Sequence, residues 1–342
     1  MERKKILITG GLGFIGSAFL WYLNKKGYND IVLCDRFRTE EKWKNVRNLH
    51  FSDIILVENL WETIQKNKFD VMIHLGACSS TTEKDMDFLF SNNYEFSKRL
   101  WQVATDQGST FIYASSAATY GNFHQSKDFP NYPDIKKLTP LNKYGYSKQL
   151  FDLWVERQII EGNTPPEYAG IKFFNVFGPH EYHKGSMASV VYHAYQQMEK
   201  KGEVKLFQSH NPHFKDGEQK RDFVYIKDVC VAMYLLMTRL GEIKKNKMNE
   251  QSFLFDLGTG KASTFKELVI PIAKKNIQYI PTPESLRKNY QYFTQANMVD
   301  WREYFKIKHT LQESVEDYLH NHLEKENPFL NVFEKDDYLS LK

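Results

Sequence analysis

The fold can be predicted from one stretch near the N-terminus, Ile6-Leu7-Ile8-Thr9-Gly10-Gly11-Leu12-Gly13-Phe14-Ile15-Gly16. The apolar run at its start predicts a buried strand, and the stretch that follows, through Lys26, predicts a helix. Gly10, Gly13 and Gly16 allow a tight turn and let backbone N–H groups approach an anionic ligand closely. The positive end of the helix dipole points at the same place. We therefore predict a strand, a phosphate-binding glycine loop and a helix, in that order.

An acidic residue after the second apolar run favours a dinucleotide over a lone phosphate. Asp35 follows Gly16 by 19 residues, where its carboxylate can accept hydrogen bonds from an adenosine ribose. The alternative is a tight strand-to-helix turn with an unrelated surface aspartate. Asp35 would repel the 2′-phosphate of NADP, but the clustered cations Arg36, Arg38 and Lys42 could neutralise that phosphate. The cluster favours NADP, with NAD as the alternative.

Short apolar runs alternate with longer amphipathic stretches in the first half of the chain. The runs at 6–9, 31–34, 71–74, 111–114 and 171–174 are typical of buried strands. Strands covered by helices on both faces become continuous apolar runs, so this alternation predicts an α/β fold around a doubly wound parallel sheet of the Rossmann type. The pattern changes after Asn175, which indicates a second, smaller mixed α/β domain.

A further apolar run at 253–258 predicts that the chain returns to the first sheet. We therefore expect discontinuous domains. The division is 1–175 plus about 222–262 for the cofactor domain, about 176–221 plus 263–330 for the substrate domain, and 331–342 for a tail.

Composition excludes several classes of protein. The chain has 342 residues, of which 42% are hydrophobic, enough to bury a sizeable core. Its 46 basic and 42 acidic residues give a mixed surface, so polymeric nucleic acid is not an expected partner. Three distant cysteines, Cys34, Cys78 and Cys230, lack metal-site spacing and indicate reduced core residues. The absence of a long apolar stretch predicts a cytoplasmic protein without a membrane partner.

Tyr144 and Lys148 are the candidate chemical centre. Their four-residue separation places both on one face of a predicted helix. An ammonium beside a phenol favours phenolate, so Tyr144 could take an alcohol proton as hydride leaves. This spacing also occurs in ordinary packed helices. The hydroxyl-bearing strand end at 113–118, which includes Ser116, favours the catalytic interpretation.

These motifs resemble those of the extended short-chain dehydrogenase/reductase family, from about Lys4 to at least residue 320. The resemblance implies that Ser116 orients a substrate hydroxyl, Tyr144 is an acid/base, and Lys148 binds the nicotinamide ribose and tunes Tyr144. Stretches 76–83, 175–179 and 183–189 resemble members that epimerise an ADP-activated heptose at C6. That likeness implies a nucleotide-sugar isomerase of lipopolysaccharide inner-core synthesis, and a homo-oligomer, with a pentamer expected.

The resemblance also assigns binding residues. Lys184 would be a second acid/base, on the opposite side of the substrate from Tyr144. Further cofactor positions would be Phe14, Ile15, Leu75, Gly76, Ala77, Cys78, Ser79, Asn92 and Val176. Further substrate positions would be Asn175, Ser186, His193, Phe207, Arg221 and Tyr290.

Arg221, and the pair Ser80 and Glu83, could each have a purely structural role instead of contacting a ligand. Arg221 would suit a diphosphate because guanidinium forms paired hydrogen bonds with phosphate oxygens, but it could instead pair with Asp222. Ser80 and Glu83 could contact ligand or form a helix capping box.

Competing functions are a hexose 4-epimerase, a 4,6-dehydratase and a cofactor-binding regulatory protein without activity. Ala117 and Ala118 supply no acid to expel water, which disfavours the dehydratase. The presence of Ser116, Tyr144 and Lys184 disfavours the regulatory protein.

Overall fold

The computed structural model describes residues 4–37, 41–122, 134–245, 253–287, 290–301, 303–336 and 338. Its strands are β1 (Ile6–Thr9), β2 (Ile31–Asp35), β3 (Asp53–Leu56), β4 (Val71–His74), β5 (Thr110–Ser116), β6 (Tyr168–Phe173), β7 (Asn175–Phe177), β8 (Val204–Phe207), β9 (Lys220–Arg221), β10 (Phe223–Tyr225), β11 (Leu254–Leu257), β12 (Ser263–Thr264) and β13 (Ile277–Ile280).

The α-helices are α1 (Phe14–Lys25), α2 (Leu60–Lys66), α3 (Met86–Leu89), α4 (Phe96–Gln107), α5 (Lys143–Glu161), α6 (Val190–Lys201), α7 (Ile226–Lys245), α8 (Phe265–Ala273), α9 (Glu284–Arg287) and α10 (Leu311–Tyr318). A π-helical stretch, Phe90–Glu95, joins α3 to α4, and another, Leu319–Leu323, follows α10.

Seven strands form one parallel sheet in the order β11-β6-β5-β4-β1-β2-β3. The order reverses between β1 and β4, which confirms the predicted doubly wound arrangement. Every residue of β1, β4 and β11 is buried. Such strands are mostly apolar because helices cover both faces of the sheet, and the polar side chains His74 and Asp256 in them are buried.

The predicted strand bounds agree with the structure in two strands and differ by one to three residues at one or both ends of the others. β1 and β4 have the predicted limits, whereas β5 is longer at both ends. β3 was not predicted. It lies at the edge of the sheet and exposes Asp53 and Leu56, so it lacks the continuous apolar run on which the prediction depended.

The shorter strands lie outside this sheet and pair as β7–β10, β8–β13 and β9–β12. The helix α7, which follows β10, packs on α1, and the centres of the Tyr22 and Tyr234 rings are 5.6 Å apart. The predicted tail also returns to α1, since the Trp21 indole donates to the Asn331 carbonyl at 3.2 Å. In the described parts of the chain, no helix has both the length and the apolar character that crossing a membrane requires.

Candidate active site

A cavity of about 470 Å³ opens at the carboxyl ends of β1, β2, β4 and β5, beside the point where the strand order reverses. Open α/β sheets bind ligands at this place. The cavity is lined by Thr9, Gly10, Gly13, Phe14, Ile15, Gly16, Cys34, Asp35, Arg36, Lys42, Val57, Leu75, Gly76, Ala77, Cys78, Ser79, Glu83, Phe88, Asn92, Phe96, Ala114, Ser115, Tyr144, Lys148, Phe173, His183 and Lys184.

The glycine loop has no space for side chains at two of its positions. Gly10 has φ +70°, and a Cβ there would lie 2.7 Å from the Gly76 nitrogen. A Cβ on Gly16 would lie 2.2 Å from the Gly10 carbonyl oxygen, so glycine is required where α1 crosses the loop. Gly13 lines the cavity immediately before the first residue of α1. The loop therefore brings backbone N–H groups and a helix N-terminus to the cavity wall.

Asp35 is held in place at the end of β2. Its carboxylate accepts hydrogen bonds from the backbone nitrogens of Leu12, at 2.9 Å, and Arg36, at 2.7 Å. The Lys42 ammonium lies 2.7 Å from the same carboxylate, and only about a tenth of either side chain is exposed. Lys42 therefore offsets the negative charge that Asp35 brings to the cavity.

Tyr144 lies in the first turn of α5. The Asn142 side chain caps this helix by accepting from the Gly145 nitrogen at 2.8 Å. Burial raises the pKa of Tyr144 above its ordinary value, and a hydrogen bond with Ser116 lowers it. We predicted that Lys148 would favour phenolate. In the folded chain burial is the larger effect, because desolvation disfavours the charged phenolate.

Lys148 lies one turn later on the same helix and lines the same cavity. Burial lowers the pKa of Lys148 to about 8, while attraction to Asp152 raises it. The helical spacing therefore brings the phenol and the ammonium into one cavity, as we predicted.

A buried polar cluster behind Tyr144 was missing from our sequence predictions. Asp152, on α5, accepts hydrogen bonds from the hydroxyls of Tyr113, at 2.8 Å, and Ser115, at 2.7 Å. The Lys172 ammonium lies 2.9 Å from Asp152 and donates to the Thr119 hydroxyl at 2.6 Å. These contacts fix α5 against the ends of β5 and β6.

Lys184 reaches the cavity from a separate element, the 3₁₀ turn Tyr182–Met187. Its ammonium lies 5.2 Å from the centre of the Phe14 ring. Burial lowers the pKa of Lys184, and attraction to the buried Glu181 opposes this shift. A lysine with a lowered pKa can exchange a proton more readily near neutral pH.

The predicted cofactor residues come together, with one exception. All of them line the cavity except Val176, which lies in β7. Cys34 is buried, as expected of a core residue, but Cys78 is only half-buried and faces the cavity. Arg38 lies outside the described residues.

The predicted substrate residues do not line this cavity, although Ser116 is close enough to Tyr144 to lower the pKa of the phenol. Asn175 and Ser186 are exposed, while His193 and Phe207 are half-buried. These positions stay predictions.

Arg221 and Tyr290 form a second group. The Arg221 guanidinium lies 5.4 Å from the centre of the Tyr290 ring and donates to the Lys220 carbonyl at 2.9 Å. The alternative pairing of Arg221 with Asp222 does not occur among the described contacts. Asp222 instead accepts from the backbone nitrogens of Thr259 and Ala296, at 2.7 and 3.0 Å.

The capping-box interpretation of Ser80 and Glu83 is wrong. No helix begins at Ser80, and α3 is capped instead by Asp85, which accepts from the Phe88 nitrogen. Glu83 accepts from the Lys84 and Asp85 nitrogens and lines the cavity. Phe88 and Phe96 also line it and were missed, because nothing in their local sequence indicates a ligand. His183 lines it too, and its place in the stretch 183–189 was the signal that could have identified it.

A doubly wound sheet with a glycine loop and a Tyr144–Lys148 helix at one cavity is typical of nicotinamide-dependent enzymes. Residues 6–249 match the model of the NAD dependent epimerase/dehydratase family, and the chain belongs to that family. It is therefore an enzyme of the kind that uses a nicotinamide cofactor.

Particular members are similar over nearly the whole chain. The ADP-L-glycero-D-manno-heptose-6-epimerase of Fusobacterium nucleatum subsp. nucleatum is 45% identical, with 95% of this chain and 100% of the relative covered. The enzyme of the same name from Nitratidesulfovibrio vulgaris is 42% identical, with 95% and 99% covered. The crystal structure of the Helicobacter pylori ADP-L-glycero-D-manno-heptose-6-epimerase has a TM-score of 0.72 at 27% identity, with 94% and 96% covered.

Proposed function

We propose that the chain epimerises ADP-D-glycero-D-manno-heptose at C6 to the L-glycero form, for the heptose of the lipopolysaccharide inner core. The observation that carries this proposal is that Tyr144 and Lys184, from separate elements, line one cavity with the glycine loop. Epimerisation through a ketone requires that hydride leaves one face of C6 and returns to the other, and that a proton leaves and rejoins the C6 oxygen in each of its two orientations. Two groups reaching the substrate from different elements can exchange this proton without either one moving.

The chain fits a dinucleotide. Gly10 and Gly16 have no space for a Cβ because the loop packs tightly on Gly76 and on α1, and Gly13, which lines the cavity, would let the backbone approach a pyrophosphate closely. Asp35 and Lys42 would hold the adenosine ribose and Lys148 the nicotinamide ribose, since all three line the cavity with the glycine loop. A bound nicotinamide would supply the hydride chemistry at C6, both the oxidation to the ketone and the reduction back to the alcohol.

Tyr144 and Lys184 divide the proton transfers. One takes the proton of the C6 hydroxyl as the carbon is oxidised, and the other donates a proton to the ketone oxygen as the carbon is reduced. Ser116, whose hydroxyl lowers the pKa of Tyr144, would orient the substrate hydroxyl. Burial opposes phenolate at Tyr144, so positive charge close to it, from Lys148 and the oxidised nicotinamide, is required for Tyr144 to act as a base.

We propose NADP as the preferred cofactor. The ion pair between Lys42 and Asp35 supports this preference because it removes the net charge that would repel a 2′-phosphate. Arg36 is near enough to contribute, although it donates to Glu58 and Asn92. NAD, which the family description names, is the alternative.

An NMR assay with ADP-D-glycero-D-manno-heptose tests the function. We expect cofactor-loaded protein to convert it to the C6 epimer, and Tyr144→Phe and Lys184→Met each to slow conversion by about 100-fold or more. Tyr146→Phe is a matched control, since Tyr146 lies on the same helix and is exposed. Lys201→Met, at the exposed end of α6, is the control for Lys184.

Failure of intact, cofactor-loaded protein to convert the heptose would contradict the proposal. Conversion of a UDP-hexose at C4 instead would support the competing 4-epimerase. The relatives at 42% and 45% identity are both named as heptose epimerases, which favours the heptose.

We also propose the substrate-domain division 176–221 plus 263–330, supported by the position of β11 beside β6 in the main sheet.

We further propose that the protein is a homo-oligomer, with a pentamer expected, and light scattering can test this oligomeric state. A cytoplasmic location fits three cysteines that form no disulfide.

A further inference from the structure

A segment near the C-terminus lies against the turn that carries Lys184. We call residues 327–336 the C-terminal strap. The Tyr182 hydroxyl donates to the Pro328 carbonyl at 2.8 Å, and the rings of Tyr182 and Phe329 pack edge to face at 5.2 Å. The strap therefore contacts the start of the turn that presents Lys184 to the cavity.

His180 links the strap to the glycine loop. The backbone nitrogen of Leu330 donates to Nε2 of His180 at 2.9 Å, so the proton of the imidazole is on Nδ1. Nδ1 then donates to the Ser17 hydroxyl at 2.9 Å, and that hydroxyl donates to the Gly13 carbonyl at 2.6 Å. One side chain, 163 residues from Ser17 and 150 residues from Leu330 along the chain, thus connects the glycine loop to the strap.

The backbone of His180 has an unusual conformation, which the packing around this residue maintains. His180 is fully buried and has φ +80°, a left-handed value that non-glycine residues rarely adopt. The Asn45 side-chain amide donates to the carbonyls of His180, at 3.1 Å, and Leu12, at 3.0 Å. Burial holds the pKa of His180 well below its ordinary value, which agrees with a neutral imidazole that accepts at Nε2. Such backbone strain concentrates at functional sites.

Glu181, the residue after His180, connects His180 to the turn that carries Lys184. The buried Glu181 carboxylate accepts from the Gly178 nitrogen at 3.1 Å and from the Ser189 hydroxyl at 2.7 Å, which closes the loop around Lys184. The Lys184 nitrogen donates to the Glu181 carbonyl at 3.0 Å. A displacement of His180 would therefore move the backbone of Lys184 as well.

We propose that His180 is a positioning residue, which holds the Lys184 turn in place between the C-terminal strap and the glycine loop. The inference rests on the proposed function, in which Lys184 exchanges a proton with the substrate. His180 does not contact the cavity, so its effect on the reaction is exerted through the position of Lys184.

Turnover of full-length, cofactor-loaded protein tests this role. We expect His180→Ala to lower kcat roughly 10- to 100-fold, because small displacements of reacting groups reduce rates by such factors, with KM within about threefold. In the Lys184→Met background, His180→Ala should cause no further loss of the residual rate. A purely structural role would lower the rate by the same factor in both backgrounds, and this result would overturn the proposal.

His309→Ala is the matched control. The His309 ring stacks on Tyr338 at 3.8 Å, beyond the strap and away from His180, so we expect its kcat to match that of wild type. A loss of kcat in His309→Ala equal to that in His180→Ala would also overturn the proposal.

Ser17→Ala provides a second test if His180→Ala does not fold. It removes the hydroxyl that His180 donates to and leaves the turn intact, so we expect a several-fold loss of kcat that is absent in the Lys184→Met background. An unchanged kcat would overturn the proposal.

The failure of the proposed function and the failure of this inference can be distinguished. If Lys184→Met itself keeps the wild-type rate, the proposed role of Lys184 as a second acid/base is wrong. If Lys184→Met is nearly inactive but His180→Ala is not, only the inference about His180 fails.

Discussion

The ammonium of Lys172 lies 2.9 Å from the carboxylate of Asp152, and both side chains are almost fully buried behind Tyr144. Two hydroxyls, from Tyr113 and Ser115, also donate to this carboxylate. Asp152 lies one helical turn after Lys148, and its charge raises the pKa of that lysine against the effect of burial. The pair therefore connects the packing of the sheet to the electrostatics of the site.

Removing one member of this pair should destabilise the fold. Asp152→Ala leaves the Lys172 charge buried without its partner, and we expect it to lower the free energy of unfolding by about 3–5 kcal/mol. Urea denaturation followed by circular dichroism measures this change. The double variant Asp152→Ala/Lys172→Met should be more stable than Asp152→Ala, because it removes the uncompensated charge.

A surface pair serves as the control for this prediction. Glu62 and Lys66 form an exposed ion pair on α2, and Glu62→Ala should leave the denaturation midpoint unchanged. A double variant that is less stable than Asp152→Ala alone would contradict our account of the buried pair.

The stability conferred by Lys148 should depend on pH. Burial lowers the pKa of Lys148 from 10.5 to about 8. Between these values the unfolded chain binds more protons at Lys148 than the folded protein, so the contribution of Lys148 to the free energy of unfolding rises with pH. Lys148→Met lacks this contribution. We therefore expect its free energy of unfolding, relative to that of wild type, to fall as the pH rises from about 8 to about 10.5.

Denaturant titrations of cofactor-free protein across this range measure the difference between the two proteins. A difference that stays constant with pH would show that folding does not lower the pKa of Lys148.

Lys42 should control the choice between NADP and NAD. Its ammonium lies 2.7 Å from the Asp35 carboxylate. Lys42→Ala leaves that carboxylate without its counter-charge beside the expected 2′-phosphate. We expect affinity for NADPH to fall at least tenfold relative to affinity for NADH, which corresponds to about 1.4 kcal/mol.

Fluorescence titration with each reduced cofactor measures this selectivity. The double variant Asp35→Asn/Lys42→Ala should recover part of the NADPH affinity, since it removes the repelling charge. Equal losses for both cofactors in Lys42→Ala would contradict a specific role at the 2′-phosphate.

The parts of the site that the sequence predicted share a local origin. Gly10, Gly13 and Gly16 follow one strand and precede one helix, and Tyr144 and Lys148 are one helical turn apart. Their geometry depends on backbone periodicity within a few residues, which is visible in the sequence. Lys184 was assigned by resemblance of the residues around it, and the structure has it in the cavity with Tyr144.

The doubly wound sheet, the glycine loop and the helical pairing of Tyr144 with Lys148 could therefore be predicted from the amino-acid sequence. The contact of Asp152 with Lys172 behind Tyr144, and that of Leu330 with His180, became visible in the folded chain alone. These contacts join residues that are 20 and 150 positions apart. They depend on which helices and strands pack together, and on which polar groups are buried next to one another. Local periodicity in the sequence contains no information on these two features.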